Sequence, residues 1–386
     1  MPDRKRIGIF LFDGLAWAGG YYYVLSTIKA FNTLPDNEKP HLTVFHFSKE
    51  SLASVTELNY PYISYLPIEV TCTLTERIVN KLYRTVIGKN IFSPKPYNKN
   101  VVDFVFPYNY LTNYPSLENL RKIYWIPDFQ HLYYPDFFSE KLLKRRADNI
   151  KNISEKSDSL VLSSESAFAD YKKHYPNYKN KIYVVRFASM LPDISSINWD
   201  TTAAKHNITD PYFFSPNQFW KHKNHIVVLK AVNLLKAKNI NITVLFSGHE
   251  DDPRDKEYVT GLKKYILDNH LEANIRFLGF LDRKEQLKIL QNAMAVVQPS
   301  LFEGWSTVVE DSKALNQFVI ASALDVHKEQ LKENCLFFDP LNEQGLADIL
   351  EQYIAAPPVK KLNDYSINIG QYATILKNLA ASAIGQ

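Results

Sequence analysis

The chain has 386 residues, 46% of them hydrophobic and 22% charged, with a formal net charge of +4. That length exceeds the roughly 250 residues at which single cores stop growing, so two α/β domains are expected. The small charge lacks the basic domain or stripe of a nucleic-acid binder, and no nucleic-acid partner is expected. The two cysteines, Cys72 and Cys335, lie far apart and in no metal-spaced cluster, which fits a reducing, cytoplasmic setting.

The first apolar run, Ile7 to Phe12, is too short for a signal-peptide core with a cleavage site and reads as a strand. Gly19-Gly20 follows it, ahead of a helix whose apolar face carries Val24, Ile28 and Phe31. Further runs at 42–47, 101–106, 123–126, 160–162 and 182–187 are short and apolar on both faces, as buried parallel strands are. Between them, 77–100 holds six basic residues (Arg77, Lys81, Arg84, Lys89, Lys95, Lys99) and no acidic one. Ile78, Leu82 and Val86 recur there at helical spacing. Two readings fit: a basic amphipathic helix lying on an anionic membrane, or a solvated helix packing its apolar face on its own domain.

The segment 191–202 lacks a period and is rich in polar breakers, which places a domain boundary at 190–210. The second half repeats the pattern, with strands expected at 212–214, 242–246, 275–278, 295–297, 318–321 and 336–338. Val227, Ala231, Leu234 and Leu235 line one face of the helix after the first of these. From about Tyr365, beyond Pro357-Pro358, the chain reads as helix again. The expected division is 1–200, 201–364 and a terminal helix, 365–386, packing back on the first domain. Alternation of strand and helix argues for two parallel sheets covered by helices. No apolar run approaches the roughly 20 residues of a membrane span.

In parallel α/β sheets ligands bind beyond the carboxyl ends of the strands. The most informative such loop is Pro299-Ser300-Leu301-Phe302-Glu303-Gly304-Trp305-Ser306-Thr307, with a helix from Val308. Free N–H groups at a helix start bind phosphate oxygens, and Gly304 lets backbone come close to a ligand. Glu303 stands outside the helix with no local structural role. Glu310 has one, as the partner of Thr307 in a capping box, and Asp311 favours the helix dipole.

The stretch 299–311 resembles the signature of family 4 glycosyltransferases, which have the GT-B fold of two Rossmann-like domains facing across a cleft. There a Glu opens a Glu-Gly-aromatic motif and contacts the donor sugar, and a second Glu eight residues on binds the ribose. Glu303 matches the first. Asp311 stands at the second, with Glu310 beside it. The segment 217–225 is similar to the loop whose Arg and Lys hold the donor diphosphate. Lys223 fits the Lys, Gln218 stands at the Arg, and Lys221 is the candidate to replace that charge; a solvated basic turn is the plainer reading. Ser247-Gly248 and Gly279-Phe280-Leu281 resemble the turns near the donor phosphates and nucleobase. Gly19-Gly20 resembles the family's pair near the phosphates and is not a dinucleotide fingerprint. Pro127-Asp128-Phe129-Gln130-His131 resembles a variant of the family's active-site His motif and puts Asp128 and His131 at the cleft. Ser163-Ser164-Glu165-Ser166 resembles a Ser-rich turn whose plain reading is a helix cap. Asp325 to Glu329 is expected to support the donor side from behind.

The resemblance implies a retaining hexosyl transfer from a nucleotide-sugar donor, with GDP-mannose favoured, to a glycan or lipid-linked acceptor in polysaccharide synthesis. It implies no metal and no cofactor, and a place in the cytoplasm at the inner membrane face. A sugar-nucleotide epimerase and a non-catalytic sugar-nucleotide binder are the alternatives.

Overall fold

The computed structural model describes residues 4–12, 18–69, 74–87, 94–111, 114–156, 159–209, 211–251 and 255–384. Two all-parallel sheets organise the chain. The first has seven strands: β1 (Arg6–Phe10), β2 (His41–His46), β3 (Ile63–Pro67), β4 (Phe104–Asn109), β5 (Lys122–Ile126), β6 (Ser159–Leu162) and β7 (Lys181–Val184), ordered β3-β2-β1-β4-β5-β6-β7. The second has six: β8 (Tyr212–Ser215), β9 (Thr243–Phe246), β10 (Ile275–Phe277), β11 (Val296–Gln298), β12 (Val319–Ser322) and β13 (Cys335–Phe338), ordered β10-β9-β8-β11-β12-β13. In both, order reverses beside the first strand, which creates a switch point where ligands bind.

The helices of the first half are α1 (Ala18–Asn32), α2 (Ala53–Thr56), α3 (Leu74–Ile87), α4 (Gln130–Tyr133), α5 (Glu140–Lys156) and α6 (Glu165–His174). Those of the second are α7 (Trp199–Lys205), α8 (His225–Ala237), α9 (Glu257–Asp268), α10 (Arg283–Asn292), α11 (Thr307–Ala314), α12 (Asp325–Gln330), α13 (Glu343–Ala355) and α14 (Ser366–Ile384).

Most strands stand within a residue or two of the expected runs, because a buried parallel strand must be apolar on both faces. Two departures have local causes. β3 sits at the sheet edge, where its half-buried residues alternate Ile63, Ser64, Tyr65 and Leu66 rather than forming an apolar run. β4 begins three residues later than expected, since Val101 closes a turn onto Asn98 O, and it runs on through the polar Tyr108-Asn109 end.

The first core centres on Tyr23 of α1, stacked on Trp125 of β5 with centroids 4.0 Å apart. α14 packs against α1 and joins that core through Tyr372, Leu376, Leu379 and Ala383. Thr27 Oγ1 and Tyr372 OH lie 2.7 Å apart. α7 goes the other way: Trp199 stacks on Tyr212, and the helix rests on α10 of the second half. On α3, Ile78 is 55% exposed and Lys81 is exposed; the side chains of Arg77, Leu82 and Arg84, and all of Lys89, lie outside the described residues. Among the described residues no helix is long and apolar enough to cross a membrane.

Candidate active site

β11 ends in Gln298, a fully buried amide at the end of an apolar strand. Its Nε2 donates to Ser300 Oγ (3.1 Å) and Glu303 Oε1 (2.8 Å), and its Oε1 accepts from Asn217 Nδ2 (3.0 Å). Ser300 Oγ donates to the same Glu303 oxygen (2.7 Å), as does Lys223 Nζ (2.6 Å). Three donors therefore converge on one carboxylate oxygen. Burial pushes the Glu303 pKa up, but Lys223 foremost, with His327 and His222 beside it, brings the value down to about 2. Glu303 thus has a strong local partner, which its position outside a helix did not reveal.

Lys223 is delivered by the one-turn 3-10 helix Lys221–Lys223. Asn224 follows in the left-handed region (φ 57°), and its Nδ2 donates to Pro299 O (3.1 Å) and Pro340 O (2.8 Å). The turn is thereby stitched to the Glu303 loop. Lys221 is exposed and lies 3.6 Å from Asp255. Gln218 Oε1 accepts from His249 N (2.9 Å), so a neutral amide holds the turn where the resemblance has an Arg. Gly248 (φ 152°) lies so close to this turn that a Cβ there would sit 2.3 Å from Asn217 O. Phe280, 58% exposed, stacks on His249 at 4.0 Å, whereas Leu281 is buried in a cluster with Tyr212, Phe214 and Leu245.

Beneath the loop lies α12. His327 Nδ1 is 2.9 Å from Ser322 O, while Ser322 Oγ donates to Ser300 O (2.6 Å). Burial lowers the His327 pKa, and its buried Nε2 has no hydrogen-bond partner.

The start of α11 departs from the sequence reading. Ser306, not Thr307, is the N-cap: its Oγ accepts from Val309 N (3.4 Å). No capping box forms, because Glu310 falls one residue too late for a Ser306 cap. Glu310 is instead buried and accepts from Lys313 Nζ (2.8 Å), Gln330 Nε2 (3.0 Å) and Tyr365 OH (2.5 Å). The Ser306 N–H is already used by Gln330 Oε1 (3.2 Å), so it is not free for a ligand. Asp311 Oδ1 accepts from Arg283 Nη2 and Ser189 Oγ, each at 2.5 Å, and the Arg283 guanidinium lies 5.0 Å over the Tyr22 ring.

Gly304 makes a close approach, but to protein. A Cβ there would lie 2.2 Å from Pro127 O and 2.8 Å from Asp128 Cβ, so the loops after β11 and β5 meet at this residue. Trp305 Nε1 donates to Phe187 O (3.1 Å), and Tyr134 OH donates to Leu301 O (3.3 Å). The structure thus brings Asp128 and Glu303 to one interdomain contact. Asp128 Oδ1 accepts from Gln130 N (3.0 Å), which shapes the turn into α4. His131 is placed differently from the expectation. Its ring is buried among first-domain residues, near Phe129 and Phe138, and neither nitrogen has a partner. Burial first, then Arg146 and His174, lowers its pKa to about 4. Gly19 and Gly20 lie inside the first turn of α1 rather than in a loop ahead of it.

Gln298, Arg283 and Gln330 were not among the expected site residues, whereas His327 and Glu329 fall in the segment 325–329 expected behind the loop. A Gln closing an apolar strand was the one signal available for Gln298; Arg283 on α10 and Gln330 on α12 meet the start of α11 only in three dimensions. Among the described residues no cluster of His, Cys, Asp or Glu could hold a metal ion.

Comparison with known proteins bears on the fold and on the second half of the chain. Residues 200–371 match the family described as glycosyl transferases group 1. The chain is 24% identical over 242 residues to the O-antigen chain mannosyltransferase RfbU of Salmonella typhimurium, a match covering 62% of this chain and 63%, under two thirds, of that relative. In fold it is similar to Anabaena Alr3699/HepE, solved in complex with UDP and glucose (TM-score 0.62, 14% identity, 98% of this chain and 95% of that one). It is also similar to a glycosyltransferase from Rickettsia africae (TM-score 0.60, 14% identity, 99% and 93%). Residues 200–371 thus resemble the glycosyl transferases group 1 family, within a chain whose two parallel sheets have the GT-B fold.

Proposed function

We propose that the chain is a retaining glycosyltransferase that moves a hexose from a nucleoside diphosphate sugar, GDP-mannose first among candidates, to a glycan or lipid-linked acceptor in surface polysaccharide synthesis. The observation that carries this reading is the buried Lys223–Glu303 pair where the loops after β5 and β11 meet. The similarity to a mannosyltransferase supports the choice of sugar.

In this reading Glu303 orients the hexose by accepting from its hydroxyls, while Lys223 meets the charge that grows on the leaving diphosphate. Both groups are held in place beforehand, which is where electrostatic catalysis draws its strength. The bond from the anomeric carbon to the phosphate oxygen breaks as the acceptor oxygen bonds to the same face. The acceptor proton passes to the departing phosphate oxygen, and a nucleoside diphosphate leaves. Phe280 offers its exposed ring to the base beside the Gly279 turn. Asp311, aligned by Arg283, stands for the ribose. Asp128 lines the reacting centre, with His131 behind it. No metal or cofactor enters the scheme. The basic segment 77–100 meets the inner face of the cytoplasmic membrane, where lipid-linked acceptors lie.

The test is nucleoside diphosphate release by the purified chain from GDP-mannose, UDP-glucose and dTDP-sugars, with and without a polyprenyl-diphosphate-linked glycan. Release that needs the acceptor and vanishes in Glu303→Ala supports the reading. An isomerised donor without acceptor would establish the epimerase instead, and binding without turnover a non-catalytic protein. Liposome flotation unaffected by Lys/Arg→Ser changes in 77–100 would remove the membrane contact.

A further inference from the structure

The short helix α12 sends three side chains to three places. His327 and Ser322 sit under the Glu303 loop, as described, and Gln330 holds both Ser306 and Glu310 at the start of α11. Glu329 leaves the second domain altogether. Its Oε1 accepts from Glu165 N (3.0 Å) and Arg186 Nε (2.5 Å), and its Oε2 accepts from Ser166 N (3.2 Å). The α6 N-cap, Ser164, takes Ala167 N (3.0 Å). The first turn of a first-domain helix is therefore capped jointly by its own serine and by a carboxylate from the opposite domain.

The physical chemistry of that contact is specific. A helix start leaves N–H groups unsatisfied and carries partial positive charge, so a carboxylate is the group that suits it. Arg186, just past β7, adds a full charge to the same carboxylate, and the resulting charge-assisted bonds are stronger than neutral ones. The Glu329 side chain is 15% exposed and that of Arg186 45%, so the pair lies at the rim of the interface, where water can take over when it parts. Glu165, 3.5 Å from Arg186, remains to hold the guanidinium in an opened form.

We propose that Glu329 is a positioning residue that latches the two domains. By capping α6 and pairing with Arg186 it holds the closed arrangement, and through α12 that closure sets the Glu303 loop and the start of α11. Closure by lids or domains commonly completes a catalytic constellation in this way. The kinetic arm rests on the transferase reading above; the structural arm does not.

The experiment uses the full chain and compares wild type with Glu329→Ala, Glu329→Gln, Arg186→Ala and the swap Glu329→Arg/Arg186→Glu. Small-angle scattering reads domain separation, circular dichroism checks folding, and donor turnover gives kcat and KM separately. Glu329→Ala is expected to raise the radius of gyration and to lower kcat about tenfold, with donor KM changing less than about threefold. Glu329→Gln, which keeps the size and one acceptor, is expected to fall between it and wild type. Arg186→Ala should expand the molecule less than Glu329→Ala, since it leaves the helix cap in place. The swap should fail to restore closure, because an arginine cannot accept from Glu165 N and Ser166 N. A scattering profile for Glu329→Ala superimposable on wild type overturns the latch, and so does full rescue by the swap. If wild type turns over no donor, the transferase reading fails while the scattering arm still decides this one.

Discussion

Lys223 Nζ lies 2.6 Å from Glu303 Oε1, with side chains only 14% and 9% exposed, so a cation and an anion from two loops of the second sheet neutralise each other in the free protein. Removing one partner leaves the other buried and uncompensated, which costs about 3–5 kcal/mol. Lys223→Met and Glu303→Gln are each expected to lose stability on that scale in urea unfolding. The double variant should lose clearly less than the sum. Strict additivity would show that the two charges do not depend on one another.

Gly304→Ala acts on the relation between domains. Its Cβ would stand 2.2 Å from a backbone oxygen of the other domain, which cannot rotate away. Both cores are left intact, so the thermal midpoint should stay near wild type. Turnover should fall roughly a hundredfold, as expected when reacting groups are misplaced by about 1 Å. Gly248→Ala provides the contrast: its clash with Asn217 O is inside the second domain, so the midpoint itself should drop. Wild-type turnover in Gly304→Ala would contradict the tight contact.

Acid stability separates two sets of groups. His131 and His225 have pKa values lowered by burial to about 4 and about 3, against roughly 6.5 for an unfolded histidine. The unfolded chain therefore takes up protons first. Stability is complete above pH 6.5 and falls as pH drops from there toward 4 and 3. Glu303, lowered to about 2, keeps its contribution above its unfolded value near 4.5 and loses it only as pH falls toward 2. The decline between pH 6.5 and 4.5 is thus a histidine effect. Melting curves of His131→Phe/His225→Phe across that window should be flatter than wild type; an equal slope would refute the assignment.

Tyr365→Phe removes a hydroxyl that donates to Glu310 Oε2 (2.5 Å) and accepts from Ser189 N (2.8 Å). Glu310 keeps Lys313 and Gln330. A loss of about 1–3 kcal/mol is expected in denaturant unfolding. No loss would mean that water replaces the hydroxyl at little cost.

Strand positions were legible because burial on both faces of a parallel sheet demands unbroken apolar runs. β3 escaped because its half-buried residues, Ile63-Ser64-Tyr65-Leu66, form no unbroken apolar run. The loop after β11 was legible as a strand-to-helix turn with an acid and a glycine, and Glu303 stands at its centre. The sequence could not tell which contacts a glycine or a carboxylate makes across the interface. Gly304 therefore read as an approach to ligand when its neighbour is Pro127, and Thr307 read as a cap when Ser306 takes the role. Partners such as Arg283 for Asp311 and Glu329 for α6 are separated by 28 and 164 residues in the chain. No local pattern encodes such pairs.

The packing of α14 on α1 has a consequence for how the chain comes off the ribosome. The first sheet is synthesised early, yet Tyr23 and Thr27 wait for Tyr372, made some 345 residues after Thr27, before that side is covered. Until then the nascent chain presents an apolar flank of the kind that chaperones recognise. Severing the chain near residue 200 would not release two independent halves. The first would lack one of its walls, and the second would carry that wall on a tether, ready to complement the first in trans.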